Sequence, residues 1–234
     1  MDNTGIIYNS FVCFVTGLTG IVVFYLLQKK RKEGKFDYHP GLDYFSLSLG
    51  VVWVLVGTRF LFLWLGEYEM ALDLFKWVIS PLSYLHLLPI FYYFGWSFFK
   101  DDKNKRFLFN AVFTIIAVSV VISLFVFGFV EPEKGYWGSK IRSKEITTQL
   151  FAIGIFIPGT ILILLELVRR YRKWKENNSL LDKRLFGFSL GFLVYALTGL
   201  FEVIIFQEGW QVLLVRIGIM VAPFIFYFSA TLEE

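Results

Sequence analysis

Apolar residues gather in seven blocks, near 6–27, 44–65, 76–99, 107–129, 148–168, 185–206 and 211–230. Each has about the 20 residues that a helix needs to cross a bilayer core. Short polar stretches separate them. Within a block, polarity does not alternate with the period of two of a barrel strand, and an open strand would leave its peptide groups unpaired in lipid. The blocks are therefore predicted as membrane-spanning helices.

The polar stretches give the blocks a direction. Lys29, Lys30, Arg31, Lys32 and Lys35 follow the first block, Lys100, Lys103, Lys105 and Arg106 the third, and Arg169, Arg170, Arg172, Lys173, Lys175, Lys183 and Arg184 the fifth. That places 16 basic residues on one side, against Lys134, Lys140, Arg142 and Lys144 in the fourth loop and Lys76 at a helix mouth. Loops rich in Lys and Arg stay on the cytoplasmic side. The N-terminus is thus expected outside and the C-terminus inside. Trp53, Trp64, Trp77, Trp96, Trp137 and Trp210 mostly fall near block ends, as interfacial anchors do. Pro89, Pro158 and Pro223 lie inside blocks and predict kinks. Gly187 with Gly191, and Gly50 with Gly57, have the spacing that lets helices approach closely. The fourth loop, 131–147, contains Pro132, Gly135 and Gly138 and is read as a solvated connection or a lid.

Three landmarks recur in order. Gly17 is answered by Gly159, Ser48-Leu49-Gly50 by Ser189-Leu190-Gly191, and Pro89-Ile90-Phe91-Tyr92-Tyr93-Phe94 by Pro223-Phe224-Ile225-Phe226-Tyr227-Phe228, at offsets of 142, 141 and 134 residues. Residues 6–99 and 148–230 then read as two copies of a three-helix unit. The fourth helix is a linker that leaves both copies in the same orientation. The expected fold is an all-α integral membrane protein, one seven-transmembrane helix bundle over 1–234 with a 3+1+3 parallel repeat.

Composition agrees. The 234 residues are 56% hydrophobic and 20% aromatic, with a mean hydropathy of +0.61, above the roughly 45–50% apolar content of a soluble domain. The formal charge of +4 comes from basic loops between apolar blocks, which indicates orientation in a bilayer and not nucleic-acid binding. A single cysteine, Cys13, excludes an intrachain disulfide and reads as a buried small hydrophobe. No basic stretch precedes the first block, so it is taken as a retained span and not a signal peptide. Only Thr231-Leu232-Glu233-Glu234 follow the last block, so a soluble output domain is not expected.

The sequence is compared with three known plans. SWEET and PQ-loop transporters share the 3+1+3 layout, but their Pro-Gln pair is missing: the first block has Thr16-Gly17 and the fifth Pro158-Gly159. Microbial rhodopsins hold retinal on a lysine in helix seven, and residues 211–230 contain none. The chain most resembles the N-terminal seven-transmembrane sensor region of bacterial and archaeal histidine kinases. That resemblance rests on the outside N-terminus, the charged outer turn Leu65-Gly66-Glu67, and a third helix of the form Trp77…Leu82-Ser83-Tyr84…Pro89…Phe94 before a short polar loop. It implies a sensor module. Such regions normally feed a cytoplasmic signalling domain, so here a stand-alone or truncated sensor is implied, with a separate cytoplasmic signalling protein as partner.

Ionisable residues inside spans are costly and mark candidate sites. Arg59, His86, Glu202 and Arg216 stand in helices two, three, six and seven, and counting along those helices places them in the outer half or close to the midplane. Glu202 is expected to pair with Arg216 or Arg59. The other guanidinium would then face an outward cleft lined by Tyr84, Tyr195 and Trp53, suited to a carboxylate. A structural ion pair tying helices together is the competing reading. His86 and His39 form neither a haem pair nor a zinc set, so no metal or cofactor is expected. Glu166, beside Arg169 and Arg170, is read as a local helical pair. The basic fifth loop, with Trp174 among its charges, is expected to meet anionic headgroups.

No nucleophile–base spacing and no phosphate loop occur, so an enzyme is not expected. A sensor or receptor-like module binding a small anionic or amphipathic ligand is the leading reading. A parallel-repeat transporter and a structural membrane subunit are the alternatives.

Overall fold

Each apolar block is the body of one long helix in this computed structural model. The structure describes residues 4–34, 39–136, 138–204 and 211–232. Lys35, Trp137 and Trp210 lie outside the described residues, as do the side chains of Lys134, Lys140 and Glu202. The helices are α1 (Thr4–Lys32), α2 (Gly41–Leu65), α3 (Tyr68–Phe98), α4 (Lys103–Phe127), α5 (Glu145–Asn177), α6 (Leu180–Ile204) and α7 (Gln211–Thr231). All seven are long and apolar enough to cross a membrane.

Several ends overrun the apolar blocks, for local reasons. Lys29, Lys30, Arg31 and Lys32 fill the last turn of α1, where positive charge meets the negative end of the helix dipole. Gly66 ends α2 in the left-handed conformation, at φ 88°, as a glycine cap does. The Asp102 carboxylate accepts from the Lys105 N–H at 3.0 Å and starts α4. The α5 helix continues past Val168 as far as Asn177.

Prolines set the irregularities. A proline has no N–H, so the carbonyl four residues earlier loses its helical donor. In α3 a π-helical turn at Leu74–Ile79 precedes Pro81, and the helix is interrupted at His86 and Leu87 just before Pro89. In α5 a π-helical turn at Ala152–Phe156 precedes Pro158. Widened turns of this kind absorb the missing bond. Pro81 was not among the expected kink sites, and α7 stays helical through Pro223.

Chain order is also packing order. Each helix packs on the next, and α7 closes against α1. The centre is aromatic: Phe45 of α2, Tyr93 and Phe94 of α3, Phe192 of α6 and Phe226 of α7 are all fully buried. Their rings meet at centroid distances such as 4.8 Å for Phe192–Phe226 and 5.4 Å for Phe45–Phe192. The outside is apolar as well. Phe11, Ile115, Ile153 and Phe228 are each more than 60% exposed, which suits lipid and not water.

Helices α1 and α2 meet at their backbones. A Cβ on Gly17 would fall 2.6 Å from the Val54 nitrogen, and one on Gly50 would fall 2.8 Å from the Gly17 oxygen. Gly191 instead abuts Phe226 of α7, and Gly159 abuts Phe91 of α3. The repeated landmarks therefore serve different seams.

The fourth loop is more ordered than a solvated connection. Strands β1 (Glu133–Gly135) and β2 (Gly138–Lys140) pair antiparallel in a short hairpin in a chain that is otherwise helical. Gly138 lies directly on the Phe60 ring, and Tyr136 covers Gly5. The hairpin thus caps the ends of α1 and α2, and its seat on Phe60 leaves no room for a Cβ at Gly138.

Candidate functional site

Arg59 comes from the last two turns of α2 and Arg216 from the second turn of α7. Both are buried. Their guanidinium carbons each stand 5.0 Å from the centroid of the same ring, Phe60. Arg59 also lies 4.6 Å from the ring of Phe75, in the π-helical turn of α3, and Arg216 lies 5.2 Å from Trp53. Contacts of a cation with a ring face contribute roughly 0.5–2 kcal/mol each, more when water is excluded. Trp53 is therefore a buried wall of this cluster and not an interfacial anchor. Cys13, buried as expected, takes a hydrogen bond from Arg216, and the Arg216 carbonyl lies 3.5 Å from the Thr16 hydroxyl. The Ser10 hydroxyl donates to the Gly57 carbonyl at 2.8 Å and pins α1 beside the cluster. This site is thus built by α1, α2, α3 and α7 at the end of the bundle that carries the hairpin.

Its neighbourhood differs from the one expected. Of the six candidate residues, the five with described side chains, Arg59, Arg216, His86, Tyr84 and Tyr195, do not form one cleft. His86 lies at the level of Ser48, whose hydroxyl donates to the His86 carbonyl at 3.3 Å. Eleven residues separate Ser48 from Arg59 along α2, about 16 Å at the helical rise. His86 bonds the Ser83 carbonyl through Nδ1 at 2.6 Å and meets the Tyr195 hydroxyl through Nε2. It occupies the α3 interruption, where its own ring satisfies one of the carbonyls that the break exposes. Tyr84 points elsewhere again, with its hydroxyl 3.2 Å from Ser143 in the fourth loop and its ring against Phe151 of α5. Glu202 belongs to α6, which packs on α7.

Surface hollows lie away from the arginines. One of about 330 Å³ is bounded by Lys76, Trp77, Phe125 and Phe129, and a more open one of about 550 Å³ by Phe127, Lys144, Glu145 and Gln149. Both sit near the end of α4 and the start of the fourth loop or of α5. Neither hollow is lined by Arg59 or Arg216, which are packed against the rings of Phe60, Phe75 and Trp53.

A second polar assembly at the opposite end was only partly legible. Glu166 of α5 is fully buried. It pairs with Arg169 and, at 2.8 Å, with Arg170, which is the local pairing expected. It also accepts from the Ser97 hydroxyl at 2.5 Å and the Tyr93 hydroxyl at 3.1 Å, both on α3. Arg170 reaches on to Asp182 of α6 at 3.0 Å and to the Ser97 hydroxyl at 2.8 Å. The Glu166 carboxylate therefore ties α5 to α3, and Arg170 extends the assembly to α6. The signal in sequence was the Tyr93-x-x-x-Ser97 spacing, which places two hydroxyls on one helix face.

The neighbouring first loop closes with a similar device. Asp43, fully buried at the start of α2, pairs with Arg31 at 2.8 Å and accepts from Gln28 at 2.6 Å. His39 stacks on Trp96 and accepts the Gly41 N–H on Nδ1 at 3.1 Å. Burial, then Arg106 and Arg31, lower its pKa to about 4. The lowered value predicts that His39 stays neutral down to about pH 4, whereas the unfolded chain takes up a proton near 6.5. Its contribution to stability is then complete above pH 6.5 and declines as the pH falls toward 4. Histidine NMR titration, assigned with His39→Gln, checks this. A midpoint near 6.5 would contradict the packed ring.

Among the described residues no group of three or more His, Cys, Asp or Glu side chains is placed to hold a metal ion. The geometry defines a multi-pass helical bundle with an arginine pair at the hairpin end and a charged clasp at the other end. Comparisons with family models, with curated proteins and with solved structures find no match.

Proposed function

We propose that this chain is a sensor or receptor-like module of the cytoplasmic membrane, with its N-terminus outside. It takes a small anionic or amphipathic ligand at Arg59 and Arg216 and passes the change to a cytoplasmic or membrane partner. The observation that carries this is the convergence of two guanidinium groups on one ring, Phe60, in the outer half of the bundle. The planar fork of a guanidinium matches a carboxylate or phosphate, and an anionic group placed between two such forks takes charge-assisted hydrogen bonds from both. The hairpin over Phe60 and the π-helical turn bearing Phe75 are the elements that a ligand would displace.

The route inward would be α3. Its outer part touches the fourth loop through Tyr84 and its inner part enters the Glu166 clasp through Tyr93 and Ser97, with the interruption at His86 between them. Two segments joined at a break can change their relative position without unfolding. The likeness to histidine-kinase sensor regions gives the same direction of signalling.

A parallel-repeat transporter is the second reading, favoured by the discontinuous α3, since interrupted helices build transport sites. The 3+1+3 repeat would supply its two halves. Against it, the paired glycine landmarks pack at different seams, and alternating access requires halves that move as similar bodies.

Arg59→Ala and Arg216→Ala are each expected to weaken binding of an anionic ligand at least tenfold, as loss of a charge-assisted hydrogen bond of about 1.5–3 kcal/mol implies. Ligands are found by thermal-shift screening of purified protein and then tested for flux in proteoliposomes. Stabilisation without flux supports a receptor. Flux by the wild type favours the transporter, and unchanged affinity in both variants refutes the site.

A further inference from the structure

The end of α5 shows two faces with different tasks. One face is spent on the Glu166–Arg170–Asp182 clasp. The other begins with Ile157, Ile161, Leu164, Val168 and Tyr171, spaced by four, three, four and three residues, each between 45 and 52% exposed. That spacing holds one face of a helix. The stripe is apolar for about three turns, becomes aromatic at Tyr171, and ends in charge: Arg172 and Lys175 are exposed, and the Lys175 ammonium stands 5.8 Å over the Tyr171 ring. Glu176 follows one turn beyond Arg172.

The aromatic part is a built surface. Tyr171, Trp174 and, from the start of α6, Phe186 form a ring triad with centroid separations of 5.7 to 6.1 Å. Leu181 of α6 extends it with an exposed apolar side chain. Apolar stripe, aromatic shelf and cationic end follow one another in the order in which acyl chain, ester region and phosphate follow one another in a phospholipid.

We propose that the α5–α6 seam binds an anionic phospholipid of the leaflet that faces the basic loops. Arg172 and Lys175 hold its phosphate, the triad packs beside its glycerol, and Leu164 and Val168 carry an acyl chain. Charge complementarity chooses the occupant, since a zwitterionic headgroup would bring a choline cation among Arg172, Lys173 and Lys175. Bound there, the lipid steadies the helix end whose other face carries the clasp. This inference needs only that the bundle lies in a bilayer and is independent of any ligand at Arg59 and Arg216.

The test uses the full chain in nanodiscs of phosphatidylcholine with a rising fraction of phosphatidylglycerol, and quenching of tryptophan by brominated acyl chains. Brominated phosphatidylglycerol should quench the wild type in preference to brominated phosphatidylcholine, by about fivefold in effective affinity for each basic residue engaged. Trp174→Phe should remove the excess quenching. The exposed double variant Arg172→Gln/Lys175→Gln should abolish the preference without moving Tm in phosphatidylcholine. Lys29→Gln/Lys30→Gln/Lys32→Gln removes more charge from α1 and should leave the preference intact. Equal quenching by the two lipids, equal loss in the α1 variant, or displacement of the excess by inorganic phosphate would each overturn the site.

Discussion

Replacing Glu166 with alanine is expected to lower the stability of the bundle by about 3–5 kcal/mol, the usual cost of removing one partner from a buried ion pair. The carboxylate is fully buried and answers Arg169, Arg170, Ser97 and Tyr93 together. Without it, two guanidinium groups face each other across a hydroxyl in a poorly solvated place. Arg170 keeps Asp182 at 3.0 Å and both arginines keep bonds to Ser97, which limits the damage, but the bond to Tyr93 and the charge that holds the two cations are lost. Glu166→Gln should fall between the wild type and Glu166→Ala, because the amide oxygen still accepts from Ser97 while the charge is lost. Thermal unfolding in one fixed detergent or nanodisc composition measures the series. A loss under about 1 kcal/mol for the alanine variant would place the pair in the class of surface salt bridges and remove the clasp from the account of α3.

Gly50→Ala should also destabilise, against the ordinary preference of helices. In an open helix this exchange gains up to about 1 kcal/mol. Here the new methyl group would lie 2.8 Å from the Gly17 oxygen and 2.8 Å from the Ile21 nitrogen. Backbone cannot turn aside as a side chain can, so α1 and α2 must separate along the seam that Gly17, Gly20 and Gly50 keep closed. Overpacking typically costs about 1–3 kcal/mol, which exceeds the propensity gain. The separation would also draw Cys13 and Ser10 away from the arginine cluster. Gly199→Ala is the control, because nothing lies within 4 Å of a Cβ at that position. It should be neutral or stabilising in the same thermal series. If Gly50→Ala matched it, the close approach of α1 and α2 would be refuted.

The spans were readable from the chain because a bilayer demands about 20 consecutive apolar residues and internal pairing of every peptide group. The basic clusters at their ends were readable for the same reason, and so was burial of Cys13. Interruptions were readable in part. Pro89 and Pro158 mark a break and a π-helical turn, but α7 carries Pro223 without a break, and Pro81 acts two residues after its turn. A proline removes one hydrogen bond wherever it stands, while the surroundings determine which geometry absorbs the loss.

The candidate site divides along the same line. Arg59 and Arg216 were both marked by their cost in a membrane and do meet, whereas His86, Tyr84 and Tyr195 were grouped with them by depth alone. Trp53 was read both as an interfacial anchor and as a wall beside the arginines, and its ring lies beside Arg216. Glu166 was read as a local pair because Arg169 and Arg170 follow it on the same helix, and its bonds to α3 could not be seen from spacing within α5. Sequence by itself determined seven spans, their basic ends and the residue types too costly to be incidental, because those follow from the solvent around each segment. Only tertiary structure decided that two arginines share Phe60, that the hairpin sits on that ring and that Glu166 and Arg170 together join three helices. A helix that is apolar on every side carries no marked face, so its rotation, and hence which side chains meet across the bundle, is fixed by packing against its neighbours.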